Sequence, residues 1–223
     1  MRAVIFANGP LSDPQSVHTL LQPEDWLIAA DGGAQHCLAL NIQPDVIIGD
    51  FDSLEQHALE QLRQTGSELI PHDRHKDQTD LELALLHAQS QNPQEILILG
   101  AIGKRWDQTL ANLLLPALSE LSHVRIWFVD GHQRATVLHS GDSLEIEAQP
   151  GDVVSLVPIR GPAQGVRTHG LEYSLDGETL QFGSTLGISN TMLGHSASVA
   201  VESGVLVLFL SRSMDDRQNK EVS

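Results

Sequence analysis

Asp50 and Asp52 close a short apolar run at 46–48, with Gly49 between the run and the pair. In extended backbone, residues two apart face the same way, so the spacing predicts that both carboxylates meet one cation. Mg2+ suits such a pair, because it takes hard oxygen ligands and shares its shell with substrate phosphates. Gly49 lets backbone approach closely there. A solvated turn that happens to hold two aspartates is the alternative reading.

A second polar cluster, His72-Asp73-Arg74-His75-Lys76-Asp77-Gln78-Thr79-Asp80, opens straight into a helical pattern. Asp77 and Asp80 are three apart and are expected to share a helix face near its positive end. One of them is expected to cap the helix, and the other, Asp80 for preference, to complete the metal site. His72 and His75 lack further ligands at zinc spacing and read as exposed loop histidines. A third cluster, Gly100-Ala101-Ile102-Gly103-Lys104-Arg105-Trp106-Asp107, has glycines for close backbone approach and two cations before a helix. It lacks the Gly-Lys-Ser/Thr ending of a P-loop, and an ordinary strand–helix turn explains it equally well. Residues 183–194 are rich in hydroxyl and amide groups, which fits a long turn as well as a ligand contact.

The elements that must carry these clusters follow from hydrophobic period. Apolar runs at 3–7, 26–30, 46–48, 96–99 and 124–129 read as buried strands. Helical patterns lie between them at 14–21, 34–40, 54–64, 81–89 and 108–118, the first capped by Ser12 or Asp13 with Pro14 in its first turn. That alternation predicts a mostly parallel, three-layer α/β domain. In such sheets ligands bind beyond the carboxyl ends of the strands. There the chain places Asn8-Gly9-Pro10, Asp31-Gly32-Gly33, the Asp50–Asp52 turn and the 100–107 turn. After about residue 131 the texture changes to short runs at 135–138, 144–146, 153–157, 165–168, 179–182, 197–201 and 205–210, separated by turn residues. These predict a C-terminal antiparallel β-sandwich or barrel, with the boundary inside 130–141.

Composition sets limits on function. The chain has 223 residues, 41% of them hydrophobic, enough to bury roughly 70% of its unfolded surface. A net charge of −16 disfavours nucleic acid and anionic membrane as partners, and it obliges any phosphate site to supply local cations. The single cysteine, Cys37, sits in an apolar stretch and reads as a buried small hydrophobe. No run approaches the roughly 20 apolar residues of a membrane span, and the apolar start stops at Asn8, too soon for a signal sequence. The expected compartment is the cytoplasm, and the polar end at 213–223 is expected to fray.

Four ordered blocks resemble the thiamine pyrophosphokinase family: Ala30-Asp31-Gly32-Gly33-Ala34, Pro44-Asp45 through Ser53, Lys76-Asp77-Gln78-Thr79-Asp80-Leu81, and Gly103 to Asp107, joined by Ser189-Asn190-Thr191. The similarity runs from Asn8 to about Leu210. It implies an ATP-binding catalytic α/β domain at 1–132, a thiamine-binding β-sandwich at 133–212, a tail at 213–223, and a homodimer with its active site at the subunit interface. It implies Mg2+-dependent transfer of the pyrophosphoryl group of ATP to thiamine, giving thiamine diphosphate and AMP. Carried over by position, Asp50, Asp52 and Asp80 would hold the metal, and Asp31, Asp52 and Asp80 would be catalytic. Asn8, Gly32, Gly33, Lys76, Gly103, Lys104, Arg105, Asp107 and Gln108 would contact the nucleotide, and Asp77, Thr79, Ser189 and Asn190 the thiamine. Three positions depart from the commonest family pattern. Lys104 stands where a second Gly is usual, Glu172 precedes Tyr173 where Lys is common, and Lys76 is Gln in some members. Two other readings remain open. An aspartyl phosphatase would use Asp50 as nucleophile, but it needs Asp-x-Asp on the first strand rather than the third. A sensor would bind the same ligands without forming AMP.

Overall fold

The computed structural model describes residues 1–213; the end expected to fray lies, from residue 214 on, outside the described residues. The chain divides into two compact units, Met1–Gly131 and a second from His132 onward. In the first unit, six parallel strands form the sheet: β1 (Arg2–Phe6), β2 (Trp26–Ala30), β3 (Val46–Gly49), β4 (Glu68–Pro71), β5 (Glu95–Leu99) and β6 (Arg125–Asp130). Their spatial order is β6-β5-β1-β2-β3-β4. The helices are α1 (Val17–Leu20), α2 (Gly33–Ala39), α3 (Gln56–Gln64), α4 (Asp80–Ser90) and α5 (Trp106–Leu114).

The central strands are apolar on both faces because helices cover both. Val4, Phe6, Ala29 and Ile47 pack with Cys37 and Leu62 on one side, and Ile5, Ile28, Ile48, Ile96 and Ile98 are equally buried. Each such side chain contributes roughly 1.5–3 kcal/mol on burial. Burial also pushes the Cys37 thiol up to about 12, so it stays protonated at neutral pH, as a small hydrophobe should.

Three differences from the sequence reading have local causes. β4 was not expected; it is an edge strand of four residues, half-exposed and closed by Pro71, so it carries no apolar run. The helix expected at 108–118 begins at Trp106 and tightens into a 3-10 turn, Leu115–Ala117, around Pro116. The first helical segment is one 3-10 turn, Pro14–Ser16, and one α turn, with Asp13 as the cap. Ser12 instead bonds the Asp130 carboxylate.

The second unit holds β7 (Gln133–Leu138), β8 (Ser143–Glu147), β9 (Val153–Pro158), β10 (Ala163–His169), β11 (Asp176–Leu180), β12 (Asn190–Thr191), β13 (Ser196–Ala200) and β14 (Leu206–Ser211). They form two antiparallel sheets, β12-β9-β14-β7 and β11-β10-β13-β8. One core of alternating inward residues joins the sheets into a sandwich, with Val154, Leu156 and Leu208 from the first and Val166, Ala197 and Val199 from the second.

α2 begins so close to β1 that a Cβ on Gly33 would fall inside the contact shell of the Phe6 carbonyl oxygen. Gly33→Ala is therefore expected to destabilise the protein by about 3 kcal/mol, read as a lower urea midpoint at unchanged slope.

Candidate active site

Asp31 follows β2 in a left-handed conformation, φ +43°, which Asp tolerates better than most residues. Its N–H donates to Ile48 O at 2.8 Å, tying it to β3. The side chain is 6% exposed, and Oδ1 is buried with no hydrogen-bond partner. β3 ends at Gly49, so Asp50 and Asp52 do not continue an extended strand as the spacing suggested. Phe51 between them is left-handed, φ +60°, and Asp52 N–H donates to Asp50 Oδ1 at 3.1 Å. A tight turn, rather than strand alternation, gathers the carboxylates. Asp31, Asp50 and Asp52 can each offer one oxygen with all three inside 4.8 Å.

Asp80 opens α4. Neither Asp77 nor Asp80 caps that helix: Thr79 does, its Oγ1 accepting from Glu82 N–H at 3.2 Å. Asp77 lies before the helix and shares no helix face with Asp80, because the helix starts only after Thr79. Gly49 is the hinge between the acids. A Cβ there would lie 2.9 Å from Asp31 Cβ and 3.2 Å from Asp80 Oδ1, so only glycine lets them close in. Burial pushes the Asp31 carboxyl above its ordinary range, and the charges of Asp80 and Asp50 add to the rise. Hydrogen bonds from Ser53 and Gly32 work against it. Two cations partly answer the charge. Lys76 Nζ lies 2.7 Å from Asp80 Oδ1, an ion pair outside the angles of a hydrogen bond. Arg74 lies 2.9 Å from Asp52 Oδ2. Arg74 was not singled out from sequence, and its place in a charged loop was the only signal.

Beside the acids opens a cleft of about 510 Å³, within the usual range for ligand sites. Asn8, Asp31, Thr79, Asp80, Gly103, Lys104, Arg105 and Gln108 line it, as do Thr109, Ala111 and Asn112, which the sequence did not mark. Its floor is two interlocked loops. Gly9 N–H donates to Gly100 O at 2.7 Å, and His36 Nε2 holds Gly9 O at 2.7 Å from the other side. Gly103 leaves room for Pro10, whose Cδ would lie 2.8 Å from a Cβ there. Gly32 lies under the Asn8 side chain and Gly33 against β1, so neither lines the cleft. Asp107 pairs with Arg105, and Asp107, Asp77 and Lys76 also stand outside the lining.

Ser189 and Asn190 belong to the second unit. Asn190 Oδ1 accepts from Tyr173 N–H at 3.0 Å and its Nδ2 donates to Tyr173 O at 2.6 Å. The Asn190 side chain lines a cavity of about 150 Å³ with Leu156, Tyr173 and Leu186. Ser189 is left-handed, φ +60°, and its N–H donates to Ser155 Oγ at 3.0 Å.

The family model for the thiamin pyrophosphokinase catalytic domain matches residues 17–128, and that for the thiamin pyrophosphokinase vitamin B1 binding domain matches residues 143–206. The chain belongs to the thiamine pyrophosphokinase family. It is 28% identical over 214 residues to the thiamine pyrophosphokinase of Bacillus subtilis, covering 93% of this chain and 97% of the relative. The crystal structure of that name from B. subtilis superposes with a TM-score of 0.85 at 24% identity, covering 96% of this chain and all of the other. The one from Geobacillus thermodenitrificans gives 0.83 at 26% identity, covering 96% and 99%. The chain is thus an enzyme of the thiamine pyrophosphokinase type, a transferase of the kinase class. The acidic cluster and α5 fall within the catalytic-domain match, and the small cavity falls within the B1-binding match.

The raised Asp31 carboxyl fixes the sign of a pH effect. A carboxyl whose folded value lies above its unfolded value, near 3.8, favours folding when protonated. Stability is therefore greatest below that value and falls as pH rises toward the folded one. Asp31→Asn, which suits the left-handed backbone, is expected to remove this fall. It should raise the neutral-pH melting midpoint of the ligand-free protein by about 2–4 °C, read by calorimetry across pH 3–8.

Proposed function

We propose that the chain transfers the pyrophosphoryl group of ATP to the hydroxyethyl oxygen of thiamine and releases AMP. The observation that carries this reading is the acidic cluster at the cleft. Asp31, Asp50 and Asp52 bring oxygens within 4.8 Å of one another, and Asp80 adds its charge beside Asp31. Asp31 Oδ1 is buried without a hydrogen bond, while Asp80 Oδ1 has the Lys76 ion pair alone. Buried carboxylates left unsatisfied are costly, and a divalent cation is the partner that such a donor set fits. Asp50, Asp52 and Asp80 would hold Mg2+, with Asp31 beside them. When bound, the ion would offset charge on the transferring phosphoryl groups and fix their geometry.

The protein's own residues supply the rest. Lys104 and Arg105 put positive charge at the start of α5, where a polyphosphate can lie along the cleft. Asp107 holds the Arg105 guanidinium in place. The thiamine oxygen attacks the β-phosphorus as the bond from that phosphorus to the α-phosphate oxygen breaks, and the hydroxyl proton passes to a carboxylate. Asp31 is the candidate acceptor, since its Oδ1 makes no hydrogen bond and the residue lines the cleft. Ser189 and Asn190 would approach thiamine from a partner subunit. A homodimer is supported by apolar side chains left in solvent: Trp106, 86% exposed, with Leu110 on α5, and Tyr173, Phe182, Leu186 and Leu193 in the second unit. The cytoplasm remains the proposed compartment; among the described residues no helix is long and apolar enough to cross a membrane.

Incubation of the pure protein with ATP, Mg2+ and thiamine should give AMP and thiamine diphosphate in equal amounts. Formation of ADP would make it an ordinary kinase and end this reading. Asp52→Asn should lower kcat about 10²–10³-fold with intact folding. Light scattering should give twice the chain mass, and a monomer at full activity would exclude the shared site.

A further inference from the structure

Asn112 sits on α5 one turn beyond Gln108, and both line the cleft. Its Nδ2 donates to the Ala101 carbonyl oxygen at 2.8 Å. That bond settles which end of the carboxamide is which, because a carbonyl accepts only from N–H. Oδ1 is therefore the free end. It has no hydrogen-bond partner among the described residues, and it is not one of the buried unsatisfied atoms, so solvent reaches it. Gln108 differs. Neither end of its carboxamide is engaged, so it can turn either way and discriminates little.

The cleft thus has two chemically distinct ends. Lys104 and Arg105 make one basic. Seven residues further along α5, roughly 10 Å at 1.5 Å per residue, Ala101 and Ala111 accompany one locked acceptor. A nucleoside triphosphate has the same polarity, a polyanion at one end and a flat base with a polar edge at the other. We propose that Asn112 reads the base of the pyrophosphoryl donor, its Oδ1 accepting a hydrogen bond from an exocyclic amino group. The site then prefers a 6-amino purine to a 6-oxo purine. This rests on the donor reading given above and adds the base to it. A 6-oxo base would set carbonyl against carbonyl and leave both oxygens unpaired in a partly closed site, a loss of about 10- to 100-fold in affinity.

The test compares ATP, inosine triphosphate and N6,N6-dimethyl-ATP as donors to thiamine with Mg2+, scoring the nucleoside monophosphate formed. The wild-type protein should favour ATP over both analogues by about 10- to 100-fold in kcat/KM, with most of the effect in KM. Use of ATP and inosine triphosphate within about threefold of each other would overturn the assignment. Asn112→Ala should bring the three donors within about threefold of one another, and full retention of the ATP preference would place the base reader elsewhere and also overturn it. The wild-type comparison decides the matter even if that variant fails to fold. No monophosphate from any nucleotide would remove the donor reading and this one together, whereas equal use of the purines removes this one alone.

Discussion

Mutual repulsion among Asp31, Asp50, Asp52 and Asp80 is the constraint around which the first unit is arranged. Like charges this close, some of them out of water, oppose folding. The chain nevertheless holds them with backbone: an αL residue after β2, a left-handed Phe51, and a glycine where any side chain would push the acids apart. Arg74 and Lys76 offset part of the charge from a neighbouring loop. The cation proposed above would relieve that repulsion, which would tie its binding to folding free energy.

The same arrangement would reconcile a chain of net charge −16 with the polyanionic donor proposed above. Acidic and basic groups are segregated along one cleft, aspartates after β2 and at the start of α4, cations at the start of α5. Parallel strands make this possible, since all of their carboxyl ends deliver loops to one edge. Interlocking of the loops after β1 and β5 through Gly9, Gly100 and His36 gives the floor a fixed shape.

Period and composition made the α/β and β-sandwich classes legible, because fully apolar runs and short alternating ones have different physical causes. The acidic residues were legible by type and position, but the reason was misjudged. Asp50 and Asp52 meet through a turn, a feature that two-residue spacing cannot distinguish from a strand. β4 escaped because an exposed edge needs no apolar signal. Thr79 displaced Asp77 as a cap because three good capping residues lie within four positions, and the tertiary fold chose among them. Arg74 and Asn112 stayed hidden for a different reason. One is an ordinary surface cation and the other an ordinary helical amide until the fold supplies their partners.

The protonated, solvent-excluded Cys37 on the buried face of α2 has a practical corollary. With its sole sulfhydryl buried and protonated at neutral pH, the folded chain offers thiol-directed oxidants and glutathione no ready thiolate.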